Sequence, residues 1–120
     1  TFHNFTLEYR ESVIKEIFRV LKPSGLFVNG AKYAQDDIMK HYDDFNWSIE
    51  QFIEHMAKVG SPKICYEWII HMSFDESPNL LMKEKDYLIQ LERLGFLNPR
   101  IIWRKRMEAI LITQKGDVML

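Results

Sequence analysis

The most constraining feature of the sequence is an amphipathic helix that leads through a Pro-Gly turn directly into a short apolar strand. Thr6 is the predicted N-cap, and apolar residues then recur at helical spacing: Tyr9, Val13, Ile14, Ile17, Phe18 and Leu21. Residues 22–25, Lys-Pro-Ser-Gly, end the helix because proline cannot continue it and glycine tolerates the turn. Residues 26–29 then read as a buried strand. This order is half of a βαβ unit, so we expect an α/β fold with a parallel strand upstream, whose end only residues 1–5 can supply.

Composition limits what such a chain can do. The chain has 120 residues, of which 47% are apolar, so it suits one domain with a real core and excludes a disordered or fibrous protein. A formal net charge of -1 excludes a nucleic-acid binder held by a general excess of positive charge. A single cysteine, Cys65, excludes an internal disulfide framework and a cysteine-cluster metal site, and we expect a buried structural thiol.

The remaining sequence predicts three more helices and two more strands. Asp36 or Asp37 caps a helical region that extends to about residue 59, with a break near residues 43–46, and Ser61-Pro62 begins another helix. Together these form a predicted helical cover over residues 36–75. Further along we expect a helix over residues 83–94, strands over 100–105 and 109–113 joined as an antiparallel hairpin by 106–108, and a loose tail over 116–120. Residues 1–115 would then form a single α/β domain.

No stretch of the sequence suggests a membrane or targeting segment. The longest uncharged apolar runs are far shorter than the ~20 residues of a spanning helix, and the start has no basic region followed by an apolar run. We therefore expect a cytoplasmic protein without membrane contact. The missing initiator Met suggests a fragment or a processed product.

Residues 13–28, Val-Ile-Lys-Glu-Ile-Phe-Arg-Val-Leu-Lys-Pro-Ser-Gly-Leu-Phe-Val, resemble the helix, turn and fifth strand of class I S-adenosylmethionine-dependent methyltransferases. Ser24 replaces the first glycine that the family commonly has there. Residues 91–96, ending in Gly-Phe, are similar to the family's last helix and its exit, and the final two strands resemble its closing hairpin. The resemblance implies the C-terminal part of a Rossmann-like methyltransferase fold, with strands in the order fifth, seventh, sixth. Within the family, the chain loosely resembles the group related to wobble-uridine tRNA methyltransferases.

The Gly-rich loop that grips the cofactor in that family is missing from this sequence. None of the five glycines forms a G-x-G pattern. The resemblance implies S-adenosylmethionine as the cofactor of the complete enzyme and a small molecule or an RNA base as acceptor, but we expect little or no cofactor binding and no activity from this chain alone. Two alternatives stay open: a non-catalytic interaction or regulatory module, and a truncated gene product.

Seven residues are candidates for the site. By resemblance, His3 and Asn4 would border the methionine moiety of the cofactor, and the alternative is that they are frayed terminal residues. Lys32 and Tyr33 follow the predicted strand, where an acceptor would bind, or belong to a solvated loop. The helical cover offers an acceptor pocket or ordinary core residues: Trp47, Trp68 and His71.

The spacing of the histidines and a short basic run also bear on the chemistry that the chain could perform. The histidines show no metal-ligand spacing, so no metal is expected. The run Arg104-Lys105-Arg106 could hold a phosphate or an RNA backbone, or be a solvated turn.

The predicted strand at residues 26–29 would have a bare edge where the upstream strand belongs. Exposed apolar edges invite pairing with other chains. We therefore expect the chain to form a homo-oligomer, to swap elements, or to associate with a complementary N-terminal half.

Overall fold

The computed structural model describes residues 2–120, which form one three-stranded sheet and four α-helices. A 3₁₀ helix Phe2–Asn4 comes first, followed by α1 (Leu7–Val20), β1 (Leu26–Lys32), α2 (Ile38–Val59), α3 (Pro62–Asp75), α4 (Glu84–Arg93), β2 (Phe96–Lys105) and β3 (Glu108–Lys115). The predicted α/β architecture, with about three strands and four helices, is confirmed. None of the helices in this part of the chain is both long enough and apolar enough to span a membrane.

The sheet has the order β1-β3-β2, with β3 antiparallel to both neighbours. Gly25 accepts from the Lys115 N–H and Tyr33 donates to the Met107 carbonyl, so odd-numbered residues of β1 bond to β3. The even-numbered residues of β1 therefore direct their N–H and C=O groups toward the opposite side. That side of β1 is a free edge of the sheet.

Helices α1 and α4 cover one face of the sheet and form the hydrophobic core with it. The buried cluster draws on these helices, the strands and the segment before α4: Ile14, Phe18, Tyr33, Met82, Tyr87, Leu91, Leu94, Phe96, Ala109 and Leu111. The other face is open, and large apolar side chains there are about half exposed: Leu26, Val28, Leu97, Ile102 and Trp103. We call this surface the open sheet face.

The buried guanidinium of Arg10 organises the start of the chain. Its side chain, only 2% exposed, donates to the carbonyls of Phe2 (3.4 Å), Phe5 (3.1 Å) and Leu80 (3.0 Å). The prediction that residues 1–5 supply the end of a parallel strand is wrong for the described residues 2–5; Thr1 lies outside the described residues. The carbonyls of Phe2 and Phe5 point inward to the Arg10 guanidinium, which favours the compact 3₁₀ helix over an extended strand.

The helix boundaries follow the predicted signals with one exception. The Thr6 hydroxyl accepts from the Tyr9 N–H at 3.3 Å. The Asp37 carboxylate caps α2 by accepting from the N–H groups of Met39 and Lys40. The predicted break near residues 43–46 is wrong, because α2 is continuous. Asp43 and Asp44 bond to side chains outside the helix and do not compete for its backbone.

The C-terminal residues lie against the turn between α4 and β2. The N–H of Leu120 donates to the carbonyl of Leu94 at 3.2 Å. Gly95 has φ +106°, and a Cβ there would come within 2.5 Å of the Val118 carbonyl. The predicted loose tail therefore contacts the domain at this turn.

We predict that Arg10→Met destabilises the domain by about 3 kcal/mol, because buried carbonyls lose their donors. The matched control is Lys15→Met, on the exposed side of the same helix, which should change stability by less than about 0.5 kcal/mol. Urea unfolding followed by circular dichroism measures both. Equal, small effects of the two substitutions would show that Arg10 does not organise this region.

Candidate functional site

The two residues predicted to follow the first strand have different environments. β1 extends to Lys32, three residues beyond the predicted end, so Lys32 is its last residue. Tyr33 does follow the strand, but it is fully buried and not in a solvated loop. Only Lys32 of this pair reaches a surface where a ligand could contact it.

Tyr33 belongs to a buried polar cluster beneath β1. The Asn29 side-chain amide donates to the hydroxyls of Tyr33 (3.0 Å) and Tyr87 (3.3 Å), and the Tyr33 hydroxyl donates to the Asn29 carbonyl. Burial raises the pKa of both tyrosines above the ordinary value, so both hydroxyls stay protonated. In this structure Tyr33 therefore packs in the core, with no exposed surface.

A cleft of about 380 Å³, which we call the aromatic pocket, lies near the end of β1. It lies between the helical cover (α2 and α3), the end of β1 and the tip of the β2–β3 hairpin. Aromatic and charged residues supply most of its lining: Lys32, Trp47, Phe52, Trp68, Lys105, Arg106 and Glu108. The structure thus brings together three of the predicted site residues, Lys32, Trp47 and Trp68.

His71, the third candidate of the helical cover, lies beside the aromatic pocket and not in its lining. Its ring meets the Trp68 ring edge-on, with centroids 5.3 Å apart, and its side chain is about half exposed. Its Nε2 is 3.8 Å from an Asp75 carboxylate oxygen. His71 can orient Trp68 from behind.

Arg106 holds the hairpin tip against α2 and so shapes one wall of the aromatic pocket. Its guanidinium pairs with Asp43 at 2.6 Å and Asp44 at 3.3 Å, and it lies 5.2 Å from the centre of the Trp47 ring. These hydrogen bonds raise the pKa of Arg106. The backbone there is left-handed, with φ +55°, a conformation that costs energy for a residue other than glycine.

Arg104 makes the corresponding link inside the fold. It donates to the carbonyls of Tyr33 (3.1 Å) and Arg106 (2.9 Å) and pairs with Glu84 at 3.2 Å. Two of the three cations in the run 104–106 are therefore used within the protein. Lys105 alone remains exposed, which weakens the reading of this run as a phosphate or RNA site.

Sequence reasoning missed how the pocket is assembled. The sequence predicts a helix break at Asp43 and Asp44, and either a phosphate or RNA-backbone site or a solvated turn at residues 104–106. The signal available was two adjacent acidic residues on a helix and two arginines on a hairpin, but nothing in one sequence pairs residues 63 positions apart. Phe52 and Glu108 carry no local motif.

A smaller cavity lies beside the aromatic pocket and shares Lys32 with it. His41, 5% exposed, is hydrogen-bonded through Nε2 to Glu76, while its Nδ1 and the Asp75 oxygen near His71 have no hydrogen-bond partner in residues 2–120. The cavity volume is about 30 Å³, room for about two water molecules.

His3 lies at the mouth of this cavity, next to the end of β1. The Lys32 N–H points at His3 Nδ1, 3.5 Å away, so this nitrogen acts as an acceptor. Burial, with a contribution from nearby positive charges such as Lys32, lowers the pKa of His3 to about 4. Asn4 is exposed at the end of the 3₁₀ helix. His3 thus lies beside the free edge of β1.

Metal-binding chemistry has no support in the described part of the chain. No group of three or more His, Cys, Asp or Glu side chains within residues 2–120 is placed to hold an ion. Cys65 is a free thiol of intermediate exposure on α3, so it is less buried than expected.

Comparisons with known proteins show the fold. No family model and no curated protein matches this sequence. Among solved structures, the chain is similar to one described as PigF with SAH, with a TM-score of 0.58 and 15% identity. The match covers 96% of this chain but 28% of the PigF chain, so the chain spans less than a third of that protein. The fold is thus consistent with part of a methyltransferase fold, as the sequence predicted.

We predict that the neutral state of His3 makes stability depend on pH. The folded-state pKa lies below the unfolded value of 6.5, so the unfolded chain binds more protons between pH 6.5 and about pH 4. Stability should fall as pH falls through that window. Substitution His3→Asn, which keeps an acceptor near the Lys32 N–H, should reduce that slope, whereas His55→Asn at an exposed position should not. Urea unfolding across this pH range is the measurement, and unchanged slopes in both variants would contradict the assignment.

Proposed function

We propose that this chain is the C-terminal, acceptor-binding part of an S-adenosylmethionine-dependent methyltransferase. The observation that carries the proposal is the aromatic pocket at the carboxyl end of β1, because ligands of open α/β sheets bind outside the carboxyl ends of the strands. The fold likeness supports it, since PigF was solved with SAH, and S-adenosylhomocysteine is what remains of S-adenosylmethionine after methyl transfer.

The described residues do not fit the whole donor molecule. They supply three strands, none of which is followed by a Gly-rich loop, and the sequence has no G-x-G pattern. Within the described residues, only His3 and Asn4 are suited to contact a donor, and we call this pair the rim. They would meet the methionine end of the donor. In the proposal, polypeptide beyond these residues therefore supplies most of the donor site along the free edge of β1.

The contribution of this chain to the reaction is positioning. The donor supplies an already activated methyl group, so the acceptor needs orientation and exclusion of water more than a dedicated nucleophile in the protein. Trp47, Phe52 and Trp68 provide apolar walls, and the hairpin tip held by Arg106 closes one side. The resemblance to wobble-uridine enzymes makes a tRNA uridine in the cytoplasm one candidate acceptor, and a small molecule is the other.

We predict that S-adenosylhomocysteine at millimolar concentration shifts backbone amide signals of the 3₁₀ helix and of the end of β1. Contacts limited to the rim give weak binding, so calorimetry should show no micromolar affinity for the chain alone. The measurement is a series of ¹H–¹⁵N correlation spectra. Adenosine, which lacks the amino-acid moiety, is the matched control ligand and should leave these signals in place.

Two outcomes would overturn this proposal. Micromolar binding of S-adenosylhomocysteine would mean that the chain holds the donor without further polypeptide. Absence of shifts near His3 and Lys32, or equal shifts with adenosine, would favour a non-catalytic interaction module.

The free edge of β1 generates a separate prediction about assembly. Without the proposed neighbouring strand, this edge and the open sheet face should cause self-association at tens of micromolar. Val28→Lys places a charge on the edge strand and should shift the protein toward monomer. Val20→Lys is the control, because the two valines are similarly exposed, at 60% and 56% for Val20 and Val28, but Val20 lies on α1. Sedimentation velocity measures both, and a monomeric parent protein would refute the prediction.

A further inference from the structure

We infer that the aromatic pocket binds a flat ring that carries one anionic group. Naming this ligand a methyl acceptor rests on the proposed function, whereas its binding rests on the pocket alone. The two halves of the inference, a planar ring and a single negative charge, come from different residues and can be tested separately.

The planar half follows from the aromatic walls. The Phe52 and Trp68 rings lie 5.9 Å apart at 50°, and Trp47 lies opposite the hairpin tip under the Arg106 guanidinium. Trp68 remains 47% exposed although it lines a concave site, so a ring placed there would cover apolar surface that the protein itself leaves open. A volume of about 380 Å³ is at the lower end of the range for small-ligand sites. A compact aromatic or heteroaromatic ring fits this size.

The anionic half follows from the charges at the sheet end of the pocket. Glu108 is the register partner of both Lys32 on β1 and Lys105 on β2, so one carboxylate faces two ammonium groups on the same side of the sheet. Neither lysine makes an ion pair within the described residues. Arg106 with Asp43 and Asp44 carries a net charge of -1, but neither carboxylate lines the pocket, so this surface group is left out of the balance between Lys32, Lys105 and Glu108. One positive charge is left over, which suits a ligand with one carboxylate or phosphate.

Polar side chains of α2 on the opposite wall can fix the orientation of the ring. Ser48, Gln51 and His55 lie along the side of α2 that faces the pocket. A ring whose anionic group meets Lys32 and Lys105 would present its other substituents toward these side chains. The pocket therefore distinguishes two ends of its ligand, which is what an acceptor site must do to present one atom for reaction.

The test uses the indole N–H signals of the three tryptophans in ¹H–¹⁵N spectra at neutral pH. The probes are 3-hydroxybenzoate (flat and anionic), phenol (flat and neutral) and cyclohexanecarboxylate (anionic but not flat). We expect 3-hydroxybenzoate to shift Trp47 and Trp68 at the lowest concentration. Trp103 lies on the open sheet face outside the pocket lining, and Trp103→Phe assigns its signal so that those of Trp47 and Trp68 can be followed.

Charge variants separate the anionic half from the aromatic half. Lys105→Gln should weaken binding of 3-hydroxybenzoate about fivefold, and Glu108→Gln should strengthen it by a similar factor, while neither changes phenol binding. Lys22→Gln, at an exposed turn far along the chain, is the matched control. Since the two active substitutions act in opposite directions, a general loss of folding cannot imitate the result.

A comparison of uridine 5′-monophosphate with 3-hydroxybenzoate identifies the source of the ligand. Tighter binding of the nucleotide assigns the site to nucleotide acceptors, and tighter binding of the benzoate assigns it to small aromatic acids; both agree with a flat anion.

Equal affinities for phenol and 3-hydroxybenzoate, or no effect of Glu108→Gln, would overturn the anionic half. Absence of shifts at Trp47 and Trp68 would overturn the whole inference. Failure here, with S-adenosylhomocysteine still shifting the rim of His3, leaves the proposed function standing, and the reverse pattern leaves a binding pocket without a donor site.

Discussion

The buried guanidinium of Arg10 is the interaction on which the arrangement of the site depends. By donating to carbonyls on both sides of the chain's first turn and to Leu80, it joins the 3₁₀ helix, α1 and the segment after α3. That segment then pairs with the residues after β1, where the Ala34 N–H donates to the Met82 carbonyl at 2.8 Å. One side chain thus fixes the relative positions of His3, the end of β1 and the start of α4. Within residues 2–120 its charge has only neutral carbonyl oxygens as partners, so these positions rest on hydrogen-bond geometry and not on an ion pair.

The second set of contacts that defines the site is electrostatic and lies at the surface. Arg104 and Arg106 extend from the hairpin in opposite directions, one to the core side and α4, the other to α2. The left-handed backbone at Arg106 is held in place by these partners. As a result, the hairpin tip, the end of β1 and the helical cover enclose a cleft even though the cover adds no residue to the main hydrophobic cluster.

Much of the fold could be predicted from the sequence, because its signals are local. Four of these signals depend on neighbouring residues: the cap at Thr6, the turn at residues 22–25, the left-handed Gly60 before Pro62, and the closing hairpin. The errors arose where a distant partner decides the outcome. Residues 2–5 curl toward Arg10, and Asp43 and Asp44 serve Arg106 instead of interrupting α2.

The candidate site was predictable to the extent that residue type and position in the fold determine it. Lys32, Trp47 and Trp68 meet in one pocket because strand ends and helical covers converge at the same edge of such a sheet. Tyr33 does not, because strand alternation places it on the core side with Asn29. Lys105 and Glu108 belong to the site because they pair across the hairpin. That pairing could not be predicted, because composition does not specify the register of the two strands.

The separation between the helical cover and the hydrophobic cluster has a consequence for how such a protein can diverge. The cluster draws nothing from α2 or α3, yet these helices supply most of the walls of the aromatic pocket. Amino-acid replacements at Trp47, Phe52 or Trp68 therefore leave the packing between sheet, α1 and α4 untouched. The shape and chemistry of the pocket can therefore be altered without redesign of the interior on which the scaffold depends.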